Sequence, residues 1–181
     1  LVMHRLDDRH RDSAVRRTHH ELLTGMLADP ADPDLRRRCA LAGVPVERRR
    51  LVGVTARPAT RSRDEVLATT VWALHEQGVP ALVCEVDDAV RALLSFPGRT
   101  GDDEVTAAVD AVGARTAARH DLVVGAGRVV DDVARADQTL RESRQVVDAV
   151  RAPSRPGVHR LDDVHLRGLL ALLGDDDRVG L

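Results

Sequence analysis

DLVVGAGRVVDDVARADQTLRESRQVVDAVRA, residues 121–152, is the stretch whose reading decides the fold. It opens on Leu122-Val123-Val124, a compact apolar run of strand length. Gly125 and Gly127 follow and read as a tight turn. Beyond them apolar residues recur at helical spacing. The stretch therefore predicts a short buried strand, a glycine turn and one long amphipathic helix. Such a strand needs neighbours and such a helix needs a bed, and the flanking sequence is read for both.

Upstream, Asp102 or Asp103 opens a helix to about Arg119, with Val105, Ala108, Val109 and Val112 inward. Before it, residues 80–86 and 89–96 are apolar runs joined only by Asp87-Asp88, the layout of an antiparallel hairpin. Ser62 caps a helix over residues 63–77, with Val66, Leu67, Thr70, Val71 and Leu74 inward, Trp72 at the edge of that face and Gly78 as its stop. Leu51-Val52-Gly53-Val54-Thr55 reads as a central strand, because its apolar run is continuous.

Farther back, Gly43 ends a short helix over residues 34–42, and ADPADP at 28–33 breaks a longer one. The longer helix starts at Asp12 or Ser13 and runs to Ala28, after a polar, frayed start over residues 1–12. Val15, His19, Leu22 and Met26 fall near a seven-residue spacing, broadened by Leu23 and Leu27. Two readings stand for this stripe: packing on its own domain, or docking on a second copy. Downstream, residues 153–157 form a turn and 158–161 a last short strand. Asp162 or Asp163 then caps a helix carrying Leu166, Leu169, Leu170 and Leu173.

The inner order β-α-β-β-α-β is the split βαβ, ferredoxin-like pattern. The fold class expected is α+β, a mainly antiparallel sheet with helices packed on one face and an N-terminal helical extension. Residues 1–46 form the helical lead-in, with residues 13–28 as the candidate dimerisation helix, and residues 47–181 form the domain.

Net charge is −2, which argues against a basic nucleic-acid-binding surface. Arg36-Arg37-Arg38 and Arg48-Arg49-Arg50 read as a solvated face ahead of an anion patch, since aromatic residues to interleave are almost absent. Cys39 and Cys84 have no ligand or disulfide spacing and read as reduced cytoplasmic thiols. No apolar run approaches membrane-spanning length, so no membrane partner is expected. The start at Leu1 and the stop just after a helix suggest a piece of a longer protein.

Followed by GAGRVVDDVARADQTLRESRQV, the β-α-β-β-α-β order resembles the nucleotide-cyclase-like GGDEF fold, with Gly125, Gly127, Ala136, Asp137, Leu140, Ser143 and Arg144 at matching places. Over roughly residues 21–173, with ELLTGMLA leading in and VHRLDDVHLRGLLALL closing, the chain looks more like the degenerate GGDEF-like domain of PucR/CdaR-type bacterial transcriptional regulators. The resemblance implies a regulatory domain, a homodimer, an unknown small-molecule effector at most, and DNA binding through a helix-turn-helix outside these residues.

The resemblance also sets what catalysis would need. An active diguanylate cyclase holds Mg²⁺ on carboxylates at the hairpin and at the end of the first strand. Here the hairpin is Val86-Asp87-Asp88-Ala89 without paired glycines, and the strand ends Thr55-Ala56-Arg57. Asp87 and Asp88 read as solvated turn residues. Gly101-Asp102-Asp103-Glu104-Val105 mimics the family signature but precedes a helical pattern, so it reads as an acidic helix start. Gly125-x-Gly127 lacks the third glycine of a dinucleotide fingerprint, having Val130 there. His4, His10, His19 and His20 have no metal-ligand spacing, and Ser95 and Ser143 have no nucleophile context. No catalytic, cofactor-binding or metal-binding residue is assigned; a divergent nucleotide-binding module on the same scaffold is the alternative.

Overall fold

The computed structural model describes residues 2–58, 62–150 and 156–164, with side chains from residue 12 onward. Its elements are α1 (Val2–Ala28), α2 (Leu35–Leu41), β1 (Arg49–Ala56), α3 (Arg63–Glu76), β2 (Ala81–Val86), β3 (Ala89–Pro97), α4 (Asp102–His120), β4 (Val123–Ala126), α5 (Ala136–Ala149) and β5 (Gly157–His159). A short 3₁₀ turn, Val133–Arg135, precedes α5. The element order matches the sequence expectation. Leu166, Leu169, Leu170 and Leu173 lie outside the described residues.

Five strands form one sheet in the order β2-β3-β1-β4-β5. Hydrogen bonding is antiparallel except between β4 and β5, which run parallel. β4 joins the sheet beside β1, with Thr55 opposite Gly125. The period of two along each strand sends alternate side chains to opposite faces. Val52, Val54, Val90, Ala92 and Leu94 meet α3 and α4 on one face; Leu51, Leu82, Cys84 and Leu93 meet α1, α2 and α5 on the other.

Helices therefore cover both faces, which corrects the one-faced arrangement expected from the sequence. The reason lies in β1 and β3, whose residues are buried on both sides for most of their length. The second face is closed by Leu22, Leu23 and Met26 of α1, Leu35 and Cys39 of α2, and Leu140 of α5. The lead-in and the sheet thus share one core.

The glycines of the opening stretch do not make a turn. Neither has positive φ; among the described residues the glycines that do are Gly43, Gly78 and Gly157. A Cβ on Gly125 would sit 2.2 Å from the Ser143 carbonyl oxygen, and one on Gly127 would sit 2.2 Å from that of Thr139. Their function is to let the α5 backbone lie directly on the sheet. The chain then stays extended instead of turning into a long helix. Gly127 N–H donates to Gly53 O at 2.9 Å, and Val130 exchanges two backbone bonds with Leu51. Only then does the 3₁₀ turn start, held by Asp132, whose side chain accepts from Ala134 N–H.

Other local expectations need adjustment. α1 is helical from Val2, through the segment read as frayed. Ser62 stands at the N-cap of α3, but its side chain makes no capping bond; its carbonyl accepts from Glu65 and Val66 N–H instead. Val66, Leu67, Thr70 and Leu74 are buried as expected, whereas Val71, expected inward, is exposed, and Thr69 and Ala73 are buried besides. Trp72 sits at the edge of its face as expected, with the Arg115 guanidinium 4.5 Å above its ring.

Candidate functional site

The end of the sheet that carries the β2–β3 hairpin collects six charged side chains from four elements. The hairpin turns on two residues, Asp87 in the left-handed region at φ 57 and Asp88 after it. Aspartate tolerates that conformation better than most residues. Arg57 follows the last residue of β1, Arg91 projects from β3, and Arg144 and Asp148 stand one turn apart on α5.

Four of them, Arg57, Asp88, Arg144 and Asp148, form a closed ring of ion pairs. Arg57 donates to Asp148 at 2.6 Å and lies 3.6 Å from Asp88. Arg144 donates to Asp88 at 2.5 Å, and its Nε reaches both oxygens of Asp148 at 3.1 and 3.0 Å. Two guanidinium groups thus bridge two carboxylates. The hydrogen bond from Arg144 holds the Asp88 carboxyl below its ordinary range, and the same bond raises Arg144. Asp87 lies 3.9 Å from Arg91, while its backbone carbonyl accepts from Arg63 at 2.6 Å.

Arg91 is the odd member. Its side chain is 9% exposed, and its Nε has no hydrogen-bond partner. Burial holds its pKa below the ordinary value, and the neighbouring Arg144 cation acts in the same direction. An unpartnered buried N–H is costly, so this group is under electrostatic load.

Asp88, read as a solvated turn residue, is exposed but ion-paired on both sides. Arg57 and Arg144 were visible in sequence, one as the missing strand-end carboxylate and the other in the family-like helix. Arg91 and Asp148 were not singled out. The i,i+4 spacing of Arg144 and Asp148 was the available signal.

The remaining candidates disperse into structural positions. Gly101-Asp102-Asp103-Glu104-Val105 opens α4, with three acids in its first turn and Asp102 paired to Arg50. Ser143 Oγ meets Thr55 Oγ1 at 2.8 Å, and Ser95 Oγ donates to Pro45 O. His19 Nδ1 sits within 3.2 Å of both Val83 N and O, and His20 Nδ1 lies 2.9 Å from Glu85 O. These two histidines satisfy the open edge of β2. His4 and His10 lie where side chains are not described.

Five of the six triplet arginines are likewise spoken for, while Arg48 is exposed. Arg36 pairs with Asp132, Arg37 with Asp34, Arg38 with Glu21 and Arg50 with Asp102; Arg49 donates to Ser95. Among the described residues no three His, Cys, Asp or Glu side chains are grouped to hold a metal ion. Nor is any helix there long and apolar enough to cross a membrane.

Residues 25–149 match the family described as the GGDEF-like domain. That span runs from inside α1 to the last residue of α5. Among solved structures, the chain is similar to a regulator of polyketide synthase expression from Bifidobacterium adolescentis, with a TM-score of 0.60 at 21% identity. The alignment covers 89% of this chain and 64% of that one. At that identity the likeness speaks to the fold. No curated protein matches the chain.

Proposed function

The chain belongs to the GGDEF-like domain family, and we propose that it is a non-catalytic regulatory and self-associating domain of a PucR/CdaR-type cytoplasmic transcriptional regulator. On this reading it couples a signal to DNA binding by a helix-turn-helix outside these residues. The similar fold of a regulator of expression supports the regulatory part. That protein is longer than the aligned chain, so the domain is one part of the machinery proposed.

The observation that carries the reading is the ion-pair ring at the hairpin. Cyclase chemistry of the GGDEF kind calls for carboxylates free to hold Mg²⁺ at the end of the first strand and at the hairpin. Here Arg57 stands at the strand end, and its guanidinium takes up Asp88 and Asp148. A fixed cation replaces the residue type that would recruit one. Incubating the purified chain with GTP and Mg²⁺ should give no cyclic di-GMP above a no-enzyme control. Sustained turnover would overturn the proposal.

A second reading, a nucleotide-binding module without turnover, is favoured by one observation, the unpartnered Nε of buried Arg91 beside Arg57 and Arg144. The same preparation titrated with GTP by calorimetry separates the two. Saturable heat that disappears in Arg91→Leu supports the second reading.

A further inference from the structure

We infer that the cavity at the carboxyl ends of β4 and β5 binds a small zwitterion of the α-amino-acid class, its carboxylate on Arg128 and its ammonium on Asp162. Such a site goes beyond the function proposed above and does not depend on it. β4 and β5 are the parallel pair of the sheet, and α5 connects them. Parallel neighbours end on the same side, so the segments that follow them leave a crevice, the place where α/β sheets hold ligands. Here those segments are residues 127–128 and 160–162, and with Ala126 and Glu142 they line a cavity of about 330 Å³. That volume lies at the small end of the range for small-molecule sites, roughly 300–1,000 Å³.

Arg128 is held ready within this cavity. Its N–H donates to Glu142 Oε2 at 2.6 Å and its carbonyl accepts from Thr139 Oγ1 at 2.6 Å, so α5 fixes its backbone on both sides. The side chain folds back over the same carboxylate: Nε lies 3.1 Å from both Glu142 oxygens, and Nη2 donates to Oε1 at 2.8 Å. The Glu142 side chain is 9% exposed, whereas that of Arg128 is 61% exposed. Burial pushes the Glu142 carboxyl up, but the side-chain and backbone bonds from Arg128 outweigh it and hold the group below its ordinary range. The clamp therefore stays charged at neutral pH. It occupies one edge of the guanidinium. Both N–H groups of Nη1 and the second of Nη2 make no hydrogen bond among the described residues. They form an edge that receives a carboxylate bidentately. Fixing that edge beforehand removes part of the ordering cost of binding.

The remaining charges select the ligand. Arg160 also lines the cavity, but its Nη2 donates to Asp110 at 2.7 Å. Asp162 is exposed, and its carboxylate makes no hydrogen bond among the described residues. It lies near enough to Arg128 to add to Glu142 in raising the arginine's pKa. With Glu142 answered by Arg128 and Arg160 by Asp110, the charge of Asp162 is left in excess. A bare anion is repelled by it, and the several phosphate charges of a nucleotide more so. A molecule with a carboxylate at one end and an ammonium beside it satisfies Arg128 and Asp162 together. Ala126 and Leu161 offer apolar contact to its side group.

Titrating the whole isotope-labelled chain with the standard amino acids, one at a time, tests this by NMR at the Arg128 Nε–H and the Gly127 amide. At least one amino acid should give saturable shifts, with a Kd between about 10 μM and 1 mM. Its carboxamide, and the same acid without the amine, should each bind at least about tenfold more weakly. Asp162→Asn changes an exposed residue and leaves the fold intact. It should weaken the amino acid by about the same factor and leave the amine-free acid unaffected. Arg128→Gln alone strands the buried Glu142 carboxylate, so it is combined with Glu142→Gln, and the pair should abolish the shifts at Gly127. No saturable shift from any amino acid at about 10 mM overturns the inference. Acetate or phosphate saturating the same groups as strongly as the amino acid overturns it in favour of a plain anion site. GTP saturating them where amino acids do not overturns it in favour of a nucleotide. Binding indifferent to both Asp162→Asn and the double change also overturns it.

Discussion

Thr139 shows how one hydroxyl can stitch a helix to a sheet. Its Oγ1 accepts from Gly53 N–H at 2.8 Å and donates to Arg128 O at 2.6 Å. Both partners are backbone groups beside the close approach of α5 to the sheet, where Gly53, Gly125 and Gly127 leave room for the helix backbone. The hydroxyl is fully buried. Thr139→Val keeps the shape and removes both bonds, stranding the buried Gly53 donor. The cost expected is about 1–3 kcal/mol. Urea denaturation should show it as a lowered midpoint at unchanged slope. Thr139→Ser, which keeps the hydroxyl, should recover most of the loss. An unchanged midpoint in Thr139→Val would show the hydroxyl to be idle.

At the scale of elements, α1 is held over the edge of β2 by His19, and we expect this attachment to depend on pH. Burial of the ring holds the His19 pKa below its ordinary 6.5, although the Val83 backbone acts in the opposite direction. A depressed folded-state pKa means that folding prefers the neutral ring. Its stabilisation is therefore complete above 6.5 and is lost as pH falls through the folded value. Exchange of the Val83 amide, corrected for its intrinsic rate, should speed up as pH falls below 6.5, and His19→Gln should flatten that dependence. Identical profiles in the two proteins would remove His19 from the docking. The sequence had made the order of elements legible, because apolar runs alternate with Gly, Pro and capping residues. It hid the second covered face, since a helix stripe does not say whether its partner lies in the same chain. It also hid the extended passage through Val130, whose local pattern is as helical as that of α5 itself. The hairpin ring was the least legible of all: Arg57 and Asp148 meet across 91 residues, and no local spacing announces such a pair.

The whole molecule is one cooperative body to the extent that its two cores are tied by the same sheet. Leu22, Leu23, Met26, Leu35 and Cys39 of the first two helices pack with Leu51, Leu82, Cys84, Leu93 and Leu140. A chain beginning at residue 47 keeps every strand but uncovers that face. Full burial of a leucine contributes about 1.5–3 kcal/mol. Exposing several of them at once reaches the whole stability of an ordinary domain, about 5–15 kcal/mol. The thiols give a direct readout. Burial pushes Cys39 up to about 11 and Cys84 up to about 12, so in the intact chain neither supplies appreciable thiolate at neutral pH. The intact chain should resist a disulfide reagent until it unfolds globally, and both thiols should then react with the same urea midpoint. In the shortened chain Cys84 should react at the rate of a free thiol without denaturant, and a dye for exposed apolar surface should bind. Protection of Cys84 in the shortened chain, with an undiminished midpoint, would show that the sheet and its remaining helices stand without α1 and α2.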